Sequence, residues 1–301
     1  MEGIKVGNKK SKYPIIQGGM GVGVSMHNLA GNVSKEGGIG IISTADIGYQ
    51  EADFNKNSLK ANLRAIGNEI KKAREIAGED KIIGVNIMVA LKDYAEIVKE
   101  CVKQKVDLII SGAGIPNELP EYVKESKTKI APIVSSLRCC KLIVKHWIKK
   151  YNYVPDMIVI EGPEAGGHLG FKREELEEDT KPKLENITKE VVDYINEVEK
   201  ETGKDIPVIA AGGIWDSTDI KKFLNLGASG VQMATRFVAT HECDASIEFK
   251  KAYVNANEED VKIINSPVGM PGRAICNSFI KKVEKEKCKI DKCYNCIKTC
   301  N

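Results

Sequence analysis

A glycine-rich loop that carries one histidine is the part of this sequence best suited to chemistry. Residues 161–170 read EGPEAGGHLG and follow the apolar run 157–160, which predicts a short buried strand. Glycine lets a backbone approach a ligand closely, and an imidazole titrates near neutral pH. His168 is therefore a candidate for proton transfer at a strand's carboxyl end. A loop histidine beside a tight turn would give the same pattern.

Two further segments are suited to hold a phosphate. One ends an apolar run with Gly212 and Gly213, and a predicted helix begins just after it. Paired glycines expose backbone N–H groups, and a helix amino terminus adds partial positive charge. Thr235 can add a hydroxyl and Arg236 a fixed charge. Ordinary loop glycines are the alternative. The second segment ends the last apolar run with four candidate residues: Gln232, Met233, Ala234 and Thr235.

A third group could lie beneath a planar cofactor. The first apolar run is followed by Gly18, Gly19 and Met20, which present bare backbone and one polarisable side chain. Asn86 lies near the end of the third run, and the fourth run leads into SGAG at 111–114. Small and polar residues at these positions would leave room for a flat ring.

Four cysteines are crowded into the end of the chain, and they form a separate candidate site. They are Cys288, Cys293, Cys296 and Cys300. Four thiolates complete a tetrahedral shell, which suits zinc or an iron–sulfur cluster. The spacing matches neither a standard ferredoxin run nor a two-knuckle zinc ribbon, and a reduced terminal tail is the alternative. Because this segment is distant in sequence from the loops above, we expect it to serve structure or assembly.

The elements that must position these residues recur eight times. Most of the runs are apolar at consecutive positions, as strands buried on both faces should be. Between them apolar residues step by three or four, as at Leu63, Ile66, Ile70 and Ala73. This alternation over 301 residues predicts an α/β fold, a (β/α)₈ TIM barrel. A doubly wound sheet competes, but GGMG at 18–21 lacks the full dinucleotide fingerprint. The eight runs are 13–17, 39–43, 82–87, 106–111, 130–134, 157–160, 207–211 and 230–234.

Domain organisation and partners follow from the same pattern and from composition. We expect residues 1–280 to form the barrel, with inserted loops at 46–58 and 171–186, and residues 281–301 to form a cysteine-rich tail. The net charge is only +3, which gives no broad field for nucleic acid or an anionic membrane. Residues 1–12 lack the apolar core of a signal peptide. We therefore expect a cytoplasmic protein with a small-molecule substrate, and a homodimer is compatible with this composition.

Six motifs give the sequence a resemblance to a known family. In them the chain resembles the nitronate monooxygenases (formerly 2-nitropropane dioxygenases), a family of flavin-dependent oxidoreductases that also contains flavin-dependent enoyl-acyl-carrier-protein reductases. The resemblance implies a TIM barrel that binds FMN. The motifs are PIIQGGMG at 14–21, GVNIM at 84–88, EGPEAGGHLG at 161–170, PVIAAGGI at 207–214, GVQMATRF at 230–237 and PGRA at 271–274.

The resemblance also implies roles for individual residues. His168 matches the catalytic histidine, which would act as a base or stabilise an anion while nitronates or nitroalkanes are oxidised with dioxygen. The alternative is an NAD(P)H-dependent enoyl-acyl-carrier-protein reductase or a related NAD(P)H:acceptor reductase. Glu161 favours that alternative, since nitronate monooxygenases often have glutamine there. A flavin-binding barrel without turnover is a third reading. The residues implied to contact FMN are Gly18, Gly19, Met20, Asn86, Glu161, Gly166, Gly212, Gly213, Gln232, Met233, Ala234 and Thr235.

Overall fold

Eight parallel strands form a nearly closed barrel in a computed structural model that describes residues 2–176, 181–266, 268–285 and 296–298. Each overlaps one of the eight predicted runs, so the predicted TIM barrel is confirmed. The first strand pairs with the last, and a parallel bridge from Ile16 to Ile39 closes the ring. The strands are β1 (Ile15–Gln17), β2 (Gly40–Ser43), β3 (Ile83–Met88), β4 (Leu108–Gly112), β5 (Lys129–Val134), β6 (Ile158–Glu161), β7 (Val208–Ala211) and β8 (Gly230–Met233).

Helices surround the barrel and continue beyond its last strand. The predicted apolar spacings fall on helices, and Ile66, Ile70 and Ala73 are buried. Short 3₁₀ helices span Arg173–Leu176 and Glu258–Asp260. The α-helices are α1 (His27–Lys35), α2 (Ser58–Ala77), α3 (Tyr94–Lys103), α4 (Leu119–Val123), α5 (Leu137–Tyr151), α6 (Leu184–Thr202), α7 (Ser217–Asn225), α8 (Thr235–Val238), α9 (Ile247–Val254) and α10 (Ser278–Lys285).

Alternate strand residues pack into two separate apolar layers. Ile41 and Ile110 belong to the cluster that fills the barrel interior. Their neighbours Ile42 and Ile109 belong to the layer between the barrel and its helices. Both faces of each strand are therefore buried, which explains why the runs are apolar at consecutive positions. A hairpin of Lys5–Val6 and Lys9–Lys10 adds Ile4 and Val6 to the interior cluster.

A small antiparallel sheet lies outside the barrel, and we call it the rim sheet. Its central strand, Pro271–Ile275, pairs with Val261–Asn265 on one side and with Gly167–His168 on the other. The pairing joins the predicted histidine loop to a segment about a hundred residues later. Of the predicted long loop 171–186, residues 177–180 lie outside the described ranges. Among the described helices, none combines the length and apolar content needed to span a bilayer.

Candidate active site

Two adjoining cavities lie at the carboxyl ends of the barrel strands. The first, of about 390 Å³, is lined by Asn86 and His168, and we call it the histidine cavity. The second, of about 340 Å³, is lined by Gly212 and Gly213, and we call it the glycine cavity. Their shared wall means that one elongated ligand could occupy both. That wall consists of Gly19, Met20, Glu161, Gly166, Gln232, Ala234 and Thr235.

The structure brings together His168 and the twelve residues that the resemblance implied to contact FMN. Asn86 and His168 line the histidine cavity, and seven others lie in the shared wall. The remaining four line the glycine cavity, namely Gly18, Gly212, Gly213 and Met233. Strand ends supply nearly all of these residues, as expected for the functional face of a TIM barrel.

A buried glutamine fixes the loop that follows β1. Gln17 is fully buried, and its amide donates to Ser25 Oγ (3.0 Å) and accepts from the N–H of Ile41 (3.1 Å). Ser25 Oγ in turn accepts the N–H of Met20 at 3.0 Å. At Gly19, an added Cβ would lie 2.5 Å from Cβ of Asn86. Only glycine therefore lets this loop cross the end of β3 so closely.

The paired glycines after β7 adopt a turn that other residues rarely form. Gly212 and Gly213 have φ values of +101° and +72°. The next helix, α7, has its first N–H groups capped by Asp216, whose Oδ1 accepts from Thr218 (2.7 Å) and Asp219 (3.2 Å). Asp216 thus already binds two of the first N–H groups of α7, and the predicted contribution of this helix amino terminus to a phosphate site stays a prediction.

Arg236, which was predicted to add a fixed charge at the phosphate site, packs on Trp215 beside the glycine cavity. Its guanidinium lies 5.0 Å from the centre of the Trp215 ring and donates to the Trp215 carbonyl at 3.1 Å. It lines neither cavity, whereas Trp215 lines the glycine cavity. Ala234, just before α8, has no side-chain cap among the described residues. Backbone and the Thr235 hydroxyl are thus the donors that remain at this end.

Two features of the shared wall show room and hydrogen-bonding capacity for a bound group. The Oε1 atom of Gln232 is buried, and no described residue donates a hydrogen bond to it. Buried polar atoms are nearly always paired, so this oxygen calls for a donor that enters the cavity. At Gly166, an added Cβ would have no described atom within 4 Å. The cavity wall is therefore open beside Gly166 and chemically incomplete at Gln232.

Burial shifts the pKa values of two groups in the histidine cavity, Glu161 and His168, toward their uncharged forms. Burial raises the pKa of Glu161 from 4.5 to about 8, since removing the carboxylate from water penalises its charged form. Burial also lowers the pKa of His168 below 6.5, because the imidazolium is penalised in the same way. His168 makes no side-chain hydrogen bond to another described residue. Its nitrogens are thus available to a substrate.

The rim sheet holds the histidine loop, and no sequence pattern predicted this sheet. Gly272 pairs with His168, and the N–H of Leu169 donates to the carbonyl of Pro271 at 2.8 Å. Arg273 pairs with Gly167 through its backbone and also lines the histidine cavity. Residues 271–274 were noted in the sequence only as the PGRA motif of the family resemblance, and no structural role was predicted for them. No local pattern links residues 271–275 to a loop so far away in the chain.

Helix α9 adds an aromatic wall that sequence reasoning also missed. Phe249 and Tyr253 both line the histidine cavity, and their ring centres are 5.2 Å apart. Their spacing of four residues places them on one face of the helix, and this spacing is the signal that could have found them. The wall makes one side of the cavity apolar.

The predicted cysteine site falls mostly outside the described residues. Cys288, Cys293 and Cys300 are not among them, and Cys296 is exposed. No group of three or more His, Cys, Asp or Glu residues in the described ranges could hold a metal ion, so the metal stays a prediction. The carbonyl of Cys296 accepts the N–H of Lys92 at 3.0 Å, and Ile297 bridges to Leu91. Residues 296–298 thus lie against the loop after β3, nearer to the cavities than their sequence position suggested.

Comparisons with known proteins agree with this geometry. A sequence model of the family described as nitronate monooxygenase matches residues 4–300. A probable nitronate monooxygenase of Staphylococcus saprophyticus is 30% identical, covering 91% of this chain and 78% of that protein. FabK from Thermotoga maritima superposes with a TM-score of 0.70 at 29% identity, over 91% of this chain and 75% of that one. Nitroalkane oxidase from Streptomyces ansochromogenes, at 22% identity and a TM-score of 0.69, shares the fold over 90% of this chain and 79% of its own.

Proposed function

Because the chain belongs to the nitronate monooxygenase family, we propose that it is an FMN-dependent oxidoreductase that oxidises nitronates or nitroalkanes with dioxygen. As a member of this family, the chain is an oxidoreductase whose barrel is of the type found in flavin enzymes. The observation that carries the finer proposal is the uncharged His168, which faces a cavity continuous with the glycine cavity. A base and a cofactor site therefore open onto the same space.

The residues of the double cavity fit FMN. Gly212, Gly213 and Thr235 would hold the phosphate, since the glycine turn presents backbone N–H groups and Thr235 a hydroxyl. The orphan Oε1 of Gln232 would accept a hydrogen bond from the ligand, and the open wall beside Gly166 would admit the ring system. When bound, FMN would supply the electron transfer from substrate to dioxygen.

His168 would act on the substrate's α-carbon proton. A neutral nitroalkane must lose that proton to become a nitronate, and an unprotonated imidazole can accept it near pH 7. The lowered pKa keeps His168 in its basic form at that pH. The imidazolium formed would lie beside the new anion and stabilise it. The rim sheet fixes the position of the histidine backbone through the pairing with Gly272.

Glu161 is compatible with this proposal despite being a glutamate. With a pKa of about 8, its side chain is a neutral acid at pH 7. A neutral carboxylic acid has one donor and acceptor oxygens, much like the amide of glutamine. The residue that favours the reductases on sequence grounds therefore carries no negative charge into the cavity at pH 7.

An NAD(P)H-dependent enoyl-thioester reductase is the second candidate. The similarity to FabK at 29% identity and the glutamate at position 161 favour it. In that reaction His168 would donate a proton to the developing enolate rather than remove one, so the same residue serves either candidate. The two functions differ in the reductant and not in the place of the histidine.

Anaerobic mixing separates the two candidates. Purified protein would be mixed in turn with a nitronate, NADH and NADPH while the visible flavin absorbance is followed. Bleaching by the nitronate alone supports the monooxygenase, whereas rapid bleaching by NADH or NADPH alone supports the reductase. The same mixing with a His168→Gln variant that still binds flavin serves as the control, because it shows whether flavin bleaching by each compound depends on the imidazole. Failure of all three compounds to bleach the wild-type flavin would refute both proposals.

A further inference from the structure

The histidine cavity contains one permanent charge among the described residues that line it. Arg273 is that residue, and its side chain is only 17% exposed. The cavity's other ionisable groups that titrate near neutrality, Glu161 and His168, are both uncharged at pH 7 because burial shifts their pKa values. A cation in a partly buried cavity attracts an anion more strongly than the same charge in water does.

Hydrogen bonds to uncharged groups hold the guanidinium in place, and its ion pair with Glu164 is long. One of its terminal nitrogens, Nη1, donates to the carbonyls of Pro163 and Ala165. These carbonyls are uncharged, so they orient the group and leave its charge intact. The nearest carboxylate, Oε2 of Glu164, is 3.7 Å from Nη2, beyond hydrogen-bond distance. Glu164 also forms an ion pair with Lys181, so the three side chains keep a net positive charge.

Part of the lining of the histidine cavity is apolar. A small molecule that places an anionic group on Arg273 would therefore rest its carbon chain on hydrophobic side chains. An arginine presents several N–H donors in one plane, which matches a planar group with two oxygens. The apolar residues are Val22, Val24, Ile133, Phe249 and Tyr253.

We propose that Arg273 is the substrate-recognition residue of this cavity, and that it selects small alkyl compounds whose reacting group is a planar oxyanion. The inference rests on the proposed function, because a nitronate is such a compound. It goes further in assigning the anion to one side chain, and in predicting that unreactive planar oxyanions of similar size bind at the same place.

Direct binding tests this assignment without turnover. Isothermal titration calorimetry of the flavin-loaded protein would measure nitrate and propionate, which match the planar group and the short chain. We expect Arg273→Met to bind both anions about tenfold or more weakly, since a hydrogen bond to a charged group is lost. Arg273→Lys keeps the charge and should recover part of the affinity. Unchanged anion affinity in Arg273→Met would overturn the proposal.

Arg173 provides a matched control. Its guanidinium also holds the rim sheet, through Asn265 Oδ1 (3.1 Å) and the Ile263 carbonyl (3.2 Å), but it does not line the histidine cavity. Arg173→Met removes the same charge and a similar backbone contact. We expect it to keep wild-type affinity for both anions. Equal loss in both variants would refute recognition by Arg273 and assign a purely structural role.

Kinetics give a second readout and separate this proposal from the function beneath it. In Arg273→Met the KM for an anionic nitronate should rise about tenfold or more, while the KM for the neutral nitroalkane changes little. Equal changes on both substrates would contradict recognition of charge. If the wild-type enzyme oxidises neither compound but Arg273→Met still loses nitrate affinity, the proposed function fails and the anion site stands.

Discussion

Replacing Glu161 with glutamine should make the protein more stable at alkaline pH. Burial raises the pKa of this carboxyl from 4.5 to about 8. Between these two values the native protein holds a proton that the unfolded chain has released. The free energy of unfolding therefore falls as the pH rises from 4.5 to 8, and it stays reduced above pH 8. Glutamine has no such proton, so Glu161→Gln should escape the loss.

The size of the effect follows from the two pKa values. Each pH unit across the interval is worth about 1.4 kcal/mol, so the full cost above pH 8 is about 5 kcal/mol. About 1 kcal/mol of that cost is already present at pH 5. The stability advantage of Glu161→Gln should thus grow by about 4 kcal/mol between pH 5 and pH 9. Because the carboxyl faces the cavity and is not fully enclosed, this figure is an upper value.

Urea denaturation followed by tryptophan fluorescence measures the difference directly. Both proteins would be unfolded at pH 5, 7 and 9 after bound ligands are removed. Glu190→Gln, a change at an exposed glutamate of α6, is the matched control. An advantage for Glu161→Gln that stays constant with pH would show that the native carboxyl is ionised. That result would also remove the argument for an uncharged cavity around His168.

Four further predictions concern the cavity itself. His168→Ala should keep its flavin and lose most turnover of neutral nitroalkane, while anionic nitronate is less affected; equal loss in steady-state assays on both would refute the base role. As the pH is lowered, wild-type activity on the nitroalkane should fall to half of its maximum only below pH 6.5, because the pKa of His168 is lowered from that value. A midpoint of the activity profile above pH 6.5 would contradict this. Gly166→Leu should fill open space and purify colourless, whereas Gly166→Ala keeps some flavin; retained absorbance in Gly166→Leu would exclude a ligand there. Gly19→Ala should weaken flavin binding and lower the thermal midpoint through contact with Asn86, and adding Asn86→Gly to that variant should restore part of the thermal midpoint; an unchanged midpoint in Gly19→Ala would disprove the close approach.

The barrel was predictable because its signal is local. Each strand is a short run buried on both faces, and residues with helical spacing separate one run from the next. Consecutive apolar residues such as Ile41 and Ile42 are therefore enough to predict a buried strand. The cavity residues were predictable for a related reason, since a barrel gathers its strand ends on one face. The position of a residue at the end of a run was therefore enough to place it.

The parts that were missed depend on contacts between distant segments. The strand Val261–Asn265 is mostly exposed and has no apolar alternation that would point to a partner. Gly167–His168 is only two residues long, so its pairing with Gly272 and Arg273 left no periodic trace. Arg236 was assigned to the phosphate because of its position, yet its guanidinium stacks on Trp215 and does not itself line the glycine cavity. Side-chain orientation is decided by neighbours that the linear sequence does not reveal.

The rim sheet has a consequence for the order in which the protein is completed during synthesis. All eight barrel strands precede residue 271 in the chain, so they can be synthesised before the partner strand of the histidine loop exists. A chain translated only as far as the barrel would therefore have its scaffold but not the backbone pairing that holds His168.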